Sequence, residues 1–233
     1  MSTSARPPAH STKPALWIAG AGGVLLAAGL VAGLVEARPY LALAPEMEPR
    51  IALLATAPVQ PGLSIDSARL VLDSCTWAMT SLAGRTQPTQ IRNRIAQNCR
   101  LTAKGIVAVS PSSAEGWYVL ALAAAQQGRR AEFSANLIRS QAVAPNEEWL
   151  AALRVALAEA RHDWTNAGLT RIERADIAVL LASRRGVAAM AARFVEDPGF
   201  RARATEIADQ LPPETQARFV AALRRLVPDG PAR

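Results

Sequence analysis

Histidine, lysine and cysteine each occur only twice in this 233-residue sequence, and aromatic residues make up 5% of it. Two isolated histidines offer no metal-binding pair. Two cysteines cannot build a disulfide-dense scaffold or a four-cysteine zinc site. No phosphate-binding glycine loop and no nucleophile elbow is present. Charged residues, at 19%, are too few, and apolar residues, at 50%, too many for a disordered chain. These absences leave no catalytic residue, metal ligand set or cofactor motif to name. Alanine is abundant, with 49 residues. It is the strongest helix former and a poor strand former, so the composition predicts an all-α fold.

The charge is lopsided, at +7 with a pI near 10.6. Apart from Lys13 and Lys104 every basic residue is an arginine. Nucleic acid is the first partner such a balance suggests. No polybasic tail occurs, however, and most arginines alternate with acids along helical segments. The acid-free stretch carrying Arg85, Arg92, Arg94, Arg100 and Lys104 is a candidate basic face for an anionic partner. A plain solvated face is the alternative.

Near the start, residues 15–35 read ALWIAGAGGVLLAAGLVAGLV, 21 residues without a charge. As a helix rising ~1.5 Å per residue, this run crosses the ~30 Å apolar core of a bilayer. Trp17 falls near one interface, where its ring is favoured. The sequence thus divides into a cytoplasmic leader (1–14), a transmembrane anchor (15–37), a proline-rich linker (38–63), a helical domain (64–227) and a tail (228–233). A cleaved signal peptide is the rival reading, with Val35-Glu36-Ala37 as the cleavage site. Against it, the apolar run exceeds the ~7–15 residues of a signal core, and Arg38-Pro39 would follow the cut. The anchored domain then faces the far side of the membrane. There, 24 basic side chains stand against 18 acidic ones beyond Ala37, which sets nucleic acid aside as a partner.

The linker holds five prolines and no sustained periodicity beyond one short turn at 50–55. It reads as a spacer. Helical spacing then begins, capped by Ser64 or Asp66, with Val71, Leu72, Cys75 and Met79 on one face. A second helix starts near Gln90 with Ile91, Ile95, Cys99, Thr102 and Ile106 in a stripe. A short loop makes the two helices antiparallel neighbours. Cys75 lies eight residues before the end of the first helix and Cys99 nine after the start of the second. The thiols therefore come level on facing stripes, and an oxidising compartment would join them as a disulfide. Two buried free thiols are the alternative.

The stretch 114–146, AEGWYVLALAAAQQGRRAEFSANLIRSQAVAPN, carries Trp117, Leu120, Ala121, Ala124, Gly128 and Pro145 in a pattern that resembles the tetratricopeptide repeat, a helix–turn–helix unit of about 34 residues. Pro111 closes a preceding unit at the same phase, while Phe133 and Ser140 stand where the family prefers alanine. The resemblance implies an α-solenoid whose concave face binds partners. It places Glu115, Tyr118, Leu122 and Gln126 on that face, with Trp149 joining from the next unit. The alternative is that Tyr118 and Trp149 simply pack against neighbouring helices. Further helices are expected at 147–161, 169–183, 187–195, from Asp197-Pro198 to Leu211, and after Pro212-Pro213. His162 falls in a loop and reads as a surface turn residue.

The layout resembles small membrane-anchored repeat proteins encoded with bacterial exopolysaccharide synthesis and export machinery. That resemblance implies a scaffold or accessory protein in the inner membrane, with its domain in the periplasm and no active site. Its partners would be other envelope proteins, and the arginine surplus suits an acidic polysaccharide. A secretion or pilus assembly factor fits the same layout. An enzyme acting on cell-wall glycan would require clustered acids.

Overall fold

The computed structural model describes residues 13–43, 46–164 and 166–226, so most of the leader, the side chain of Trp17 and the tail lie outside it. Among the described residues there are twelve α-helices and no strand. They are α1 (Lys13–Ala42), α2 (Met47–Thr56), α3 (Ile65–Thr80), α4 (Leu82–Arg85), α5 (Thr89–Val109), α6 (Ala114–Gln126), α7 (Arg130–Val143), α8 (Glu148–Glu159), α9 (Ala167–Ala182), α10 (Gly186–Glu196), α11 (Pro198–Ala208) and α12 (Pro213–Leu226). A single 3-10 turn, His162–Trp164, follows α8.

Helix starts follow local capping chemistry. Ser64, rather than Asp66, caps α3 by accepting from the Ser67 amide at 3.0 Å. Ser113 does the same for α6 through Gly116, and Asn166 for α9 through Gly168 and Leu169. Asp197 accepts from Phe200 at 3.0 Å with Pro198 at the first helical position, as the sequence predicts. Between α6 and α7 the chain reverses at Gly128, whose φ of 72° lies in the left-handed region open to glycine.

Two expectations about the N-terminal part need correcting. The first helix does not stop at residue 37 but continues through Arg38 and Pro39 to Ala42. Within it, Ala21–Ala42 is long and apolar enough to cross a membrane, with a mean hydropathy of 1.5. Pro39 removes one helical donor. Its own carbonyl nevertheless accepts from the Leu43 amide at 3.0 Å, and both side chains are buried, which offsets the loss.

The proline-rich linker, in turn, is not an open spacer. Its centre is α2, whose Ile51, Leu54 and Ala55 are buried. Asn98 donates to the Leu54 carbonyl at 2.9 Å and Thr102 to the Val59 carbonyl at 3.0 Å, fastening the segment to α5. Pro49 sits in the first turn, where a missing N–H costs little, so proline content misrepresents this stretch. The end of α1 is docked as well. The Glu36 carboxylate accepts from the amides of Leu63 (2.6 Å) and Ser64 (3.0 Å) and from the Ser64 hydroxyl. Gly62 makes this approach possible, because a Cβ there would lie 2.8 Å from the Glu36 Cα.

Beyond the junction the helices enclose two apolar cores. The first runs from α2 to α7 and includes Val71, Leu72, Ile95, Tyr118, Phe133 and Leu137. Cys75 and Cys99 are bonded at its centre, with Cα atoms 5.6 Å apart. The second gathers Ile177, Leu180, Val187, Phe200, Ile207 and Phe219 from α9 to α12. Helix α8 is the wall between them. Leu150 and Leu157 face the first core, and Ala151 and Val155 the second.

Candidate functional site

Helix α6 is the centre of the first core and carries alanine at 121, 123, 124 and 125, all buried. Small side chains let α5 and α7 close on it. Ser140 adds a polar tie by donating to the Ala114 carbonyl at 2.9 Å. Phe133 fills the space under Trp164, edge to face at 5.5 Å. Thus, of the two departures from the repeat pattern, Ser140 ties α7 to α6 and Phe133 ties α7 to the turn after α8. Among the signature residues, Leu120 and Ala121 are buried and Pro145 is an exposed turn residue. Trp117 donates from its indole to the Pro111 carbonyl at 2.8 Å, under the Arg139 guanidinium.

One face of α6 stays partly open. Tyr118, Leu122 and Gln126, spaced four apart, form one wall of a cleft of about 520 Å³. The facing wall is Leu153, Leu157 and Arg161, spaced four apart along and just beyond α8, with Met79, Thr80, Arg85 and Arg92 closing the end. The lining therefore holds three guanidinium groups over an aliphatic floor and no carboxylate. Arg85 has no partner among the described residues. Arg92 donates only to the Thr89 hydroxyl, at 3.2 Å. Arg161 donates to the Ala160 and Ala125 carbonyls and stacks on Trp164.

The C-terminal ends of α3, α6 and α8 converge near this cluster, and their partial negative charges offset some of it. Three full positive charges still outweigh three helix ends of roughly half a charge each. Tyr118 is only 2% exposed, and burial pushes its phenol well above the usual range. Its hydroxyl, left without a hydrogen bond among the described residues, faces the cleft as a donor.

The structure thus joins residues that the sequence assigned to two different surfaces. Tyr118, Leu122 and Gln126 share a cleft with Arg85 and Arg92. The remaining candidates lie elsewhere. Glu115 is not on an open face; it is buried in the first turn of α6, and burial together with Asp73 pushes it up to about 8. Trp149 is 48% exposed and outside the cleft. Arg100 is paired with Glu132 at 3.3 Å, and Lys104 is exposed further along α5. Arg94 lies ~200° around the helix from Arg92. It lines a second groove of about 560 Å³ with Ala55, Thr56, Gln90, Asn93, Gln97 and Asn98. The five basic residues therefore do not form one face.

Sequence reasoning missed Arg161, Leu153 and Leu157. Their spacing was visible, but nothing in it said that this stripe faces Tyr118.

Two carboxyl pairs occur outside the grooves. Asp73 stands beside Glu115. Glu173 is held up at about 8 by burial and by Glu159. Glu159, against the burial that opposes its charge, is held below the ordinary range by hydrogen bonds from Glu173 and Arg203 and by the Arg193 charge. Neither pair contributes to the lining of either groove. His162 is exposed. Among the described residues no group of three or more His, Cys, Asp and Glu side chains is placed to hold a metal ion. No family model, no curated protein and no solved structure matches this chain.

Proposed function

We propose that the chain is a membrane-anchored docking protein of the bacterial envelope. Its tetratricopeptide-like helical domain, in the periplasm, holds a partner protein of the exopolysaccharide synthesis or export machinery. The observation that carries this reading is the cleft between α6 and α8. Three arginines without a carboxylate partner stand around an aliphatic floor, with the Tyr118 hydroxyl presented from below. Guanidinium groups pair with carboxylates in a planar, two-pronged geometry, and an aliphatic floor seats one apolar side chain. The occupant is therefore an acidic segment with an apolar anchor.

Two further observations support the setting. A helix able to cross a membrane precedes the domain, and a Cys75–Cys99 disulfide suits an oxidising compartment.

The test is a strain carrying the Arg85→Ala/Arg92→Ala chain, beside a deletion strain, with exported polymer measured. A photo-crosslinking residue at Gln126 reports the partner. Deletion and the double variant should both lower polymer export, and the variant should lose the crosslink. Normal export in the deletion strain would overturn the reading. Loss of pili or of a secreted protein with export intact would reassign the chain to an assembly system.

A further inference from the structure

The second groove differs chemically from the cleft. Gln90, Asn93, Arg94 and Gln97 stand at i, i+3, i+4 and i+7, so they share one face of α5 over two turns. Across ~10 Å of helix this makes a row of amides with one guanidinium. The end of α2, with Thr56 and Ala55, forms the opposite bank. Asn98 at the base is fixed by its bond to the Leu54 carbonyl. Gln90, Asn93 and Arg94 have no protein partner among the described residues, and Gln97 makes a single long contact of 3.4 Å with Gln127. No carboxylate lines the groove.

We propose that this groove binds an acidic glycan chain, Arg94 holding a carboxylate of a uronic-acid unit and the amides of Gln90, Asn93 and Gln97 bonding to neighbouring hydroxyls. A primary amide donates and accepts in one plane, and so does a pair of sugar hydroxyls. Four amides to one cation match a ligand rich in hydroxyls and sparse in charge. Single-stranded nucleic acid needs aromatic faces for its bases, and none lines the groove. A peptide needs a pocket for an apolar anchor, and Ala55 alone does not make one. The proposal borrows from the docking reading only the kind of polymer at hand, and the groove lies on the other side of α5 from the cleft.

The experiment titrates the full-length chain in lipid nanodiscs with an oligoguluronate, a neutral gluco-oligosaccharide and a poly-glutamate of matched charge. The oligoguluronate should bind, and less tightly as salt is raised, with little binding of the neutral sugar, while any binding of poly-glutamate belongs to the arginine cleft. Arg94→Ala should weaken binding ~10-fold or more, and Asn93→Ala/Gln97→Ala by several-fold. Arg85→Ala/Arg92→Ala should remove poly-glutamate binding and leave that of the oligoguluronate in place. Arg85, Asn93, Arg94 and Gln97 are exposed and Arg92 is half-buried, and circular-dichroism melting checks that each variant is folded. Absence of oligoguluronate binding would overturn the proposal. So would equal binding of poly-glutamate by the Arg85→Ala/Arg92→Ala chain, or insensitivity to the amide substitutions. No binding by the native chain, with export still lost in the Arg85→Ala/Arg92→Ala strain, would discard the glycan site and keep the docking reading. Binding with normal export in the deletion strain would do the reverse.

Discussion

Around Cys75 and Cys99 the first core is held by a covalent bond and by alanines that let helices approach, whereas the second, from α8 to α12, is threaded with buried charge. Arg154 and Asp176 are each about 1% exposed and meet through two hydrogen bonds of 2.6 and 2.7 Å. Arg154 also reaches the Ala144 carbonyl at 3.2 Å, so the pair ties α8 and α9 to the end of α7. A second cluster joins Glu159 to Arg193 at 3.1 Å and to Arg203 at 2.5 Å, linking α8 to α10 and α11. The edge-to-face pair Phe194–Phe219 completes that half. A covalent tie and close apolar packing tolerate changes of pH and salt. Buried charge tolerates neither the loss of a partner nor a change of protonation. Both candidate grooves are built on helices of the first core, with α8 lending one wall. The surfaces proposed to bind are thus carried by the half with the covalent fastening, although the buried Glu115 gives that half a pH dependence of its own.

Three measurements test that contrast. The largest effect is expected from Arg154→Ala, which leaves Asp176 buried without its partner and should cost about 3–5 kcal/mol in denaturant unfolding. Amide exchange should rise first in α9 to α12, and replacing both partners with apolar residues should restore much of the loss. A loss spread evenly over both cores would deny their separate character.

Opening the disulfide should come next, at about 3 kcal/mol, whether by reduction or by Cys75→Ala/Cys99→Ala. Exchange should then rise in α3 and α5 while α10 to α12 keep their protection. Thiol labelling of the native chain without reductant would refute the bond itself.

The smallest effect is on pH dependence. Glu115 and Glu173 are raised to about 8, so each remains protonated in the folded state while its unfolded counterpart ionises above about 4.5. Their stabilising contribution is full below about 4.5, declines as pH rises, and is gone above about 8. Each site should lose on the order of 1–2 kcal/mol across that window, given its partial contact with solvent. Glu159 works in the opposite sense, because its depressed value adds stability above about 4.5 that is lost on further acidification. Thermal midpoints should therefore peak in mildly acidic buffer. Glu173→Gln should flatten the alkaline decline of the second core, and Glu115→Gln that of the first. A midpoint that rises from pH 5 to 8 would contradict both assignments.

Much of the helical outline was legible because its signals are local. Ser64 and Asp197-Pro198 mark helix starts through bonds to amides two or three residues away. The apolar stripes on α3 and α5 allowed the two thiols to be brought level by counting. The proline-rich stretch misled, since prolines at helix starts and boundaries look the same as prolines in a spacer. The short turn expected at 50–55 lies within α2, but that Ile51, Leu54 and Ala55 pack against α5 is not visible in any local pattern.

The candidate sites were only half legible for the same reason. Tyr118 and Arg92 could each be singled out, but not that they share a cleft, nor that Arg100 is spent on Glu132, thirty-two residues away. The Arg154–Asp176 pair, twenty-two residues apart, gave no sign at all.

Helical character, a first helix able to span a membrane and the levelling of the two cysteines could all be read from the residues alone. Each follows from propensity, hydropathy or spacing along one or two neighbouring helices. The three-dimensional packing settles that the thiols are bonded, that Glu36 docks on the start of α3, that Glu115 is sealed in, and that the arginines of α5 divide between a cleft and a groove. Those outcomes depend on which stripes face each other across the cores, and that choice is made by the packing of helices far apart in the chain.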